Sequence, residues 1–154
     1  MQYVLQIAAG AVGSVGFAVL FNIHGKKLVW SMAGGALAWG VYLACTCAGL
    51  SVFAALFIAT AAAALASEVL ARLVRAPVIL LLVPMLIPLI PGGDLYYMMS
   101  WLVRGSNEAF GNAARLVVTE AGAIALGIIV VATLANIFAG VYGAKAQKHK
   151  KWHS

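Results

Sequence analysis

The chain has 154 residues, of which 64% are hydrophobic and 9% charged, with mean hydropathy +1.02 and a net charge of +6. That is too apolar for a water-soluble domain of this size, so an all-α integral membrane protein whose first partner is the lipid bilayer is expected. The basic residues flank apolar stretches rather than forming a stripe with aromatics, which makes the charge a topology signal and excludes nucleic acid as a partner.

Charge-free runs at 1–23, 28–67, 76–93 and 121–144 set out the elements in chain order. The first, about 3–22, has no basic stretch before it and no small-x-small exit before Asn22, so it reads as a span rather than a cleaved leader. The forty-residue run 28–67 is long enough for two spans, about 28–48 and 51–70, and Thr46-Cys-Ala-Gly-Leu-Ser51 supplies the turn between them. Cys45 and Cys47 are two apart on a helix, about 200° around its axis, so they do not hold a metal together. Glu68 closes the third span with Arg72 four residues on. Two readings stand for it: an ordinary i, i+4 pair, or a gate or proton-relay carboxylate.

The fourth element, about 77–103, cannot be one unbroken helix. Pro84, Pro88 and Pro91 remove the amides that would bond the carbonyls of Leu80, Pro84 and Ile87, and Gly92-Gly93 then release the backbone. Broken helices at membrane depth are tolerated where protein buries them or where they line a watery cavity, as in transporters. Asp94 follows the glycines and is placed to cap a second half-helix by accepting the amide of Tyr96 or Tyr97. The free first-turn amides of that half-helix suit a small anion, and the freed carbonyls before the break suit an ammonium or a proton-bearing group. Together they suit an amino acid or a small carboxylate, with the phenols of Tyr96 and Tyr97 as further donors.

The fifth element, about 116–142, carries Glu120 one turn from its start. Either the carboxylate is functional, since burying its charge costs about 2.5 kcal/mol or more unpaired, or the helix starts later than drawn. Asn136 in this span, like Asn22 at the end of the first, either binds substrate or bonds a neighbouring helix. Glycines 10, 13 and 16, 34, 35 and 40, and 122, 127, 140 and 143 give small faces for helix packing, internally or against a partner subunit. The chain thus reads as one membrane domain, 1–144, followed by a basic tail, 145–154, with Trp152 at the headgroups.

Five spans put Lys26, Lys27, Arg72, Arg75, Lys145, Lys148, Lys150 and Lys151 on one side and only Arg104 and Arg115 on the other. Eight against two places the C-terminus in the cytoplasm and the N-terminus outside. No paired-carboxylate, metal-spaced, P-loop or nucleophile-elbow motif is present, so neither an enzyme nor a cofactor or metal is expected.

Ser67-Glu68-Val-Leu-Ala-Arg72-Leu-Val-Arg75-Ala-Pro77 running into Val83-Pro84 and on to Tyr97, with Gly16-Phe17-Ala-Val-Leu-Phe21-Asn22 at the end of the first span, resembles the threonine/serine exporter family. The resemblance covers about 16–143 and is closest to the small all-membrane subunit, which is similar to the C-terminal half of the single-chain exporters and to the small subunit of a bacterial succinate exporter. It implies proton-driven export of threonine, serine or a small carboxylate from a bacterium, across the inner membrane, together with a larger membrane subunit that carries an N-terminal soluble domain. It leaves the hetero- or homo-oligomer open. The family's motif positions carried over are Pro84, Pro88, Pro91, Gly92, Gly93 and Tyr96; at Asp94 this chain departs from the small residue common in the family. A second expectation, from a different class, is a structural or assembly subunit whose partner binds the substrate.

Overall fold

The computed structural model describes the backbone of residues 1–150 and the side chains of residues 1–138, so the side chains of the basic tail lie outside the described residues. Six α-helices follow one another: α1 Gln2–Leu20, α2 Lys26–Cys47, α3 Val52–Val74, α4 Val78–Leu86, α5 Gly92–Val103 and α6 Asn107–Lys150, with a 3-10 turn, Ile87–Leu89, between α4 and α5. α1, α2, α3 and α6 are each long and apolar enough to cross a bilayer, and α4 with its turn and α5 make a fifth span bent by 57°. The chain is a multi-pass, all-helical membrane protein.

Four helices end in the same way. The amides of Ile23, Leu50, Ala76 and Ser106 bond back to the carbonyls of Ala18, Cys45, Ala71 and Trp101 at 2.9–3.1 Å, each across a left-handed residue: Asn22, Gly49, Arg75 and Gly105. This Schellman closure pairs carbonyls that lipid cannot solvate. At the start of α3 the Ser51 hydroxyl accepts the Ala54 amide at 3.3 Å. Asn22 thus sits where the chain must turn (φ 59°), exposed, and its carbonyl accepts from the His24 ring at 2.9 Å.

The last helix begins at Asn107, nine residues before the expected boundary at 116. The added stretch is polar, so hydropathy alone stops short of it, while its alanines and Glu108 in the first turn favour a helix. At 1.5 Å per residue α6 is about 66 Å long, against a hydrocarbon core of about 30 Å, so it projects beyond the bilayer.

α1 packs on α2, α2 on α3 and α3 on α6; α4 is wedged among α1, α2 and α3, whereas α5 leans on α6. Close approach needs small residues at particular points. A Cβ on Gly35 would overlap the Ser14 side chain, one on Gly34 would overlap Met85, and one on Gly127 would come within 3.0 Å of the Phe57 carbonyl oxygen. Gly13, Gly16 and Gly122 meet nothing within 4 Å, so internal packing does not explain them.

The break is tighter than three prolines suggest. The Ile87 amide bonds the Pro84 carbonyl, and the Ile90 amide bonds the Ile87 carbonyl at 3.3 Å. Two of the three carbonyls expected to be free are therefore paired, because the chain winds into 3-10 geometry and borrows a donor one residue nearer. The N-cap of α5 is Pro91 rather than Asp94: the Leu95 amide closes the first turn on the Pro91 carbonyl at 3.0 Å, and both glycines are already helical. Asp94 makes no capping bond, which leaves its carboxylate free to face elsewhere.

Candidate substrate site at the broken span

α4 and its 3-10 turn carry the chain about 20 Å from the end of the bundle that holds Lys26, Lys27, Arg72 and Arg75, taking 1.5 Å per α-helical and 2.0 Å per 3-10 residue. Trp39, thirteen residues into α2, lies at the same depth. At this level a cavity of about 200 Å3 opens between the break and its neighbours. Pro88, Leu89, Ile90, Pro91, Gly92, Gly93 and Asp94 form one side; Trp39 and Tyr42 of α2, Leu56 of α3 and Glu120 of α6 complete it.

Glu120 is brought here by the longer α6. It stands thirteen residues into the helix rather than one turn, is only 6% exposed, and lines the same cavity as Asp94. Its Oε2 finds no donor among the described residues. An unpaired carboxylate at such depth costs about 2.5–3.5 kcal/mol, which a cation or a proton in the cavity would relieve.

The opposite polarity is present in the same cavity. Trp39 lines it, and its indole Nε1–H is buried with no acceptor among the described residues, a cost of about 1–3 kcal/mol that a bound oxygen would offset. The Trp39 and Tyr42 rings lie 5.1 Å apart, so each holds the other in place. Among the described residues the first-turn amides of Gly93 and Asp94 have no backbone acceptor outside α5, and the helix dipole adds positive potential there. Two carboxyl groups beside an indole N–H and a helix N-terminus form the complement of a small zwitterion.

The other residues singled out in the sequence lie elsewhere. Pro84 is fully buried in α4 and shapes the break from within the bundle. Tyr96 and Tyr97, 70% and 59% exposed, stand edge to face with each other outside the cavity. Glu68 accepts from Arg72 at 3.3 Å, the ordinary i, i+4 pair, in an exposed setting where such pairs contribute about 0–1 kcal/mol. Asn22 ends α1, and Asn136 is exposed on α6.

Trp39 and Tyr42 are absent from the sequence expectations. Their signal is a Trp and a Tyr one helical turn apart in mid-span, where belt aromatics, which gather at the two interfaces, have no reason to be. Each has a polar tip that needs a partner when buried.

A family model described as Threonine/Serine exporter, ThrE, matches residues 6–134, a stretch that contains every residue lining the cavity. No curated protein and no solved structure matches the chain.

Proposed function

This chain belongs to the threonine/serine exporter family, and on that premise we propose that it binds a small amino acid at the broken span and exports it in exchange for a proton. The observation that carries the reading is the buried Glu120 carboxyl, with an orphan oxygen, opening into the cavity it shares with Asp94. A substrate ammonium sits between the two carboxyl groups. Its carboxylate takes the Trp39 indole N–H and the first-turn amides of α5. A proton on the same carboxyl pair cancels one of its two negative charges, as the ammonium does, so proton and ammonium displace one another, and that competition couples export to the proton gradient.

The site discriminates by charge. A dicarboxylate brings two more negative charges to two carboxyl groups, whereas threonine or serine brings the ammonium they lack, so the amino acids are the substrates and succinate is not. The end of the bundle that holds Lys26, Lys27, Arg72 and Arg75 faces the cytoplasm of a bacterium, in its inner membrane, and the chain works with a larger membrane subunit that bears a soluble domain.

The experiment is efflux of labelled threonine from cells making this chain with its native partners, for wild type and Glu120→Gln. The expected result is an efflux loss of about tenfold or more, with normal membrane insertion and with the remaining efflux insensitive to external pH. Wild-type efflux and pH profile in that variant would return the chain to an assembly role, with substrate bound by its partner.

A further inference from the structure

α3 and α6 meet along one seam, and a cavity lies at each end of it. The larger is the one at the break, bounded by Leu56 and Glu120. The smaller, about 40 Å3, lies toward the basic end and is lined by Ser67 and Glu68 of α3, Ile128 and Val131 of α6, and Val78 and Leu82 of α4. Leu56 to Ala64 on one helix and Glu120 to Ile128 on the other are each eight residues, so about 12 Å of packed seam separates the two.

Within those 12 Å every side chain from residues 57–63 and 121–127 is apolar except Thr60. Its hydroxyl is fully buried and has no hydrogen-bond partner among the described residues. That is unusual in this chain: the other fully buried hydroxyls, Ser14, Ser31 and Ser67, bond back to the carbonyls of Gly10, Lys27 and Ala64 at 2.8–3.1 Å. Opposite Thr60 stands Gly127, so close that a Cβ there would be 2.9 Å from the Thr60 Cβ. A hydroxyl kept unpaired at a cost, midway along α3 between the two cavities and facing a glycine at the edge of the smaller one, has a use in another arrangement of the helices.

We infer that the α3–α6 seam is the route between the basic end and the cavity at the break, with the Thr60–Gly127 contact as its closure and the Thr60 hydroxyl as the group that hydrogen-bonds the substrate in passage. This rests on the reading of the break as a transport site. When α3 and α6 part by the width of the missing Cβ and more, the two cavities join. The Thr60 oxygen then offers the only side-chain hydrogen bond along an otherwise apolar stretch, and the Ser67–Glu68 cavity becomes the mouth.

Two variants test it in the full chain with its native partners. Thr60→Val removes the unpaired hydroxyl at nearly constant shape. It raises thermal stability and leaves threonine binding unchanged, yet lowers threonine efflux by about fivefold or more; efflux at the wild-type rate overturns the role of Thr60. In a background free of Cys45 and Cys47, Thr60→Cys with Gly127→Cys closes a disulfide across the contact after a shift of under about 1 Å. Oxidation stops efflux, reduction restores it, and threonine still binds the oxidised protein. Continued efflux from the oxidised protein overturns the seam as the route while sparing the binding site. Absence of threonine binding even in the reduced protein overturns the binding site and the seam with it.

Discussion

The two halves of the broken span are held in opposite ways. In α4, Leu81, Leu82, Pro84, Met85 and Leu86 are buried among α1, α2 and α3, whereas α5 buries no residue and leans on α6. The first half is a post fixed in the bundle. The second presents its N-terminal turn, Gly92 to Asp94, to a cavity whose other walls come from α2, α3 and α6. Packing therefore limits substitution on one side of Pro88–Pro91, and the cavity limits it on the other. The same residue type does different work in each: Gly34 and Gly35 are small because Met85 and Ser14 fill the space, while Gly92 and Gly93 are small beside space that no protein atom fills.

That contrast breaks most easily at the packed side. Gly35→Val should reduce the yield of monodisperse protein in detergent by about tenfold or more, because its side chain overlaps that of Ser14 in a site with no room to relax. A normal yield would mean that α1 and α2 are not packed as described. On the cavity side, replacing Gly92 and Gly93 together with leucine should abolish efflux, while the thermal midpoint moves by less than about 4 °C. A collapse of stability there would make the break a packing element like α4.

Smaller effects sharpen the boundary of the site. Asp94→Asn removes one of the two carboxyl groups lining the cavity and should lower efflux by about threefold to tenfold with an altered pH profile. An unchanged profile would take Asp94 out of proton exchange. Tyr96→Phe and Tyr97→Phe should change efflux by less than about twofold, since both phenols lie outside the cavity; a tenfold loss would put them back into it.

Much of this was legible in the chain. Charge-free runs delimit the spans, and the prolines and glycines of 84–93 locate the bend, because lipid leaves the backbone few alternatives. Three features were not. The start of α6 is polar and resembles a loop, so Glu120 looks shallower than it is. The capping residue of α5 depends on whether the glycines enter the helix, a choice that Pro91 and the Leu95 amide settle in three dimensions. Trp39 and Tyr42 look like any apolar-span aromatics until α2 is set beside the break. Asn22 shows the reverse: a polar residue in a flank whose local role, a left-handed helix end, accounts for it without a substrate.

Substrate in the space beside Gly93 shields that position from a thiol reagent. Gly93→Cys, in a background without Cys45 and Cys47, places a thiol on the cavity wall at a position where a Cβ meets nothing within 4 Å. Saturating threonine should slow labelling of this cysteine by about fivefold or more, and succinate should not. Labelling at the same rate with and without threonine would contradict substrate binding there.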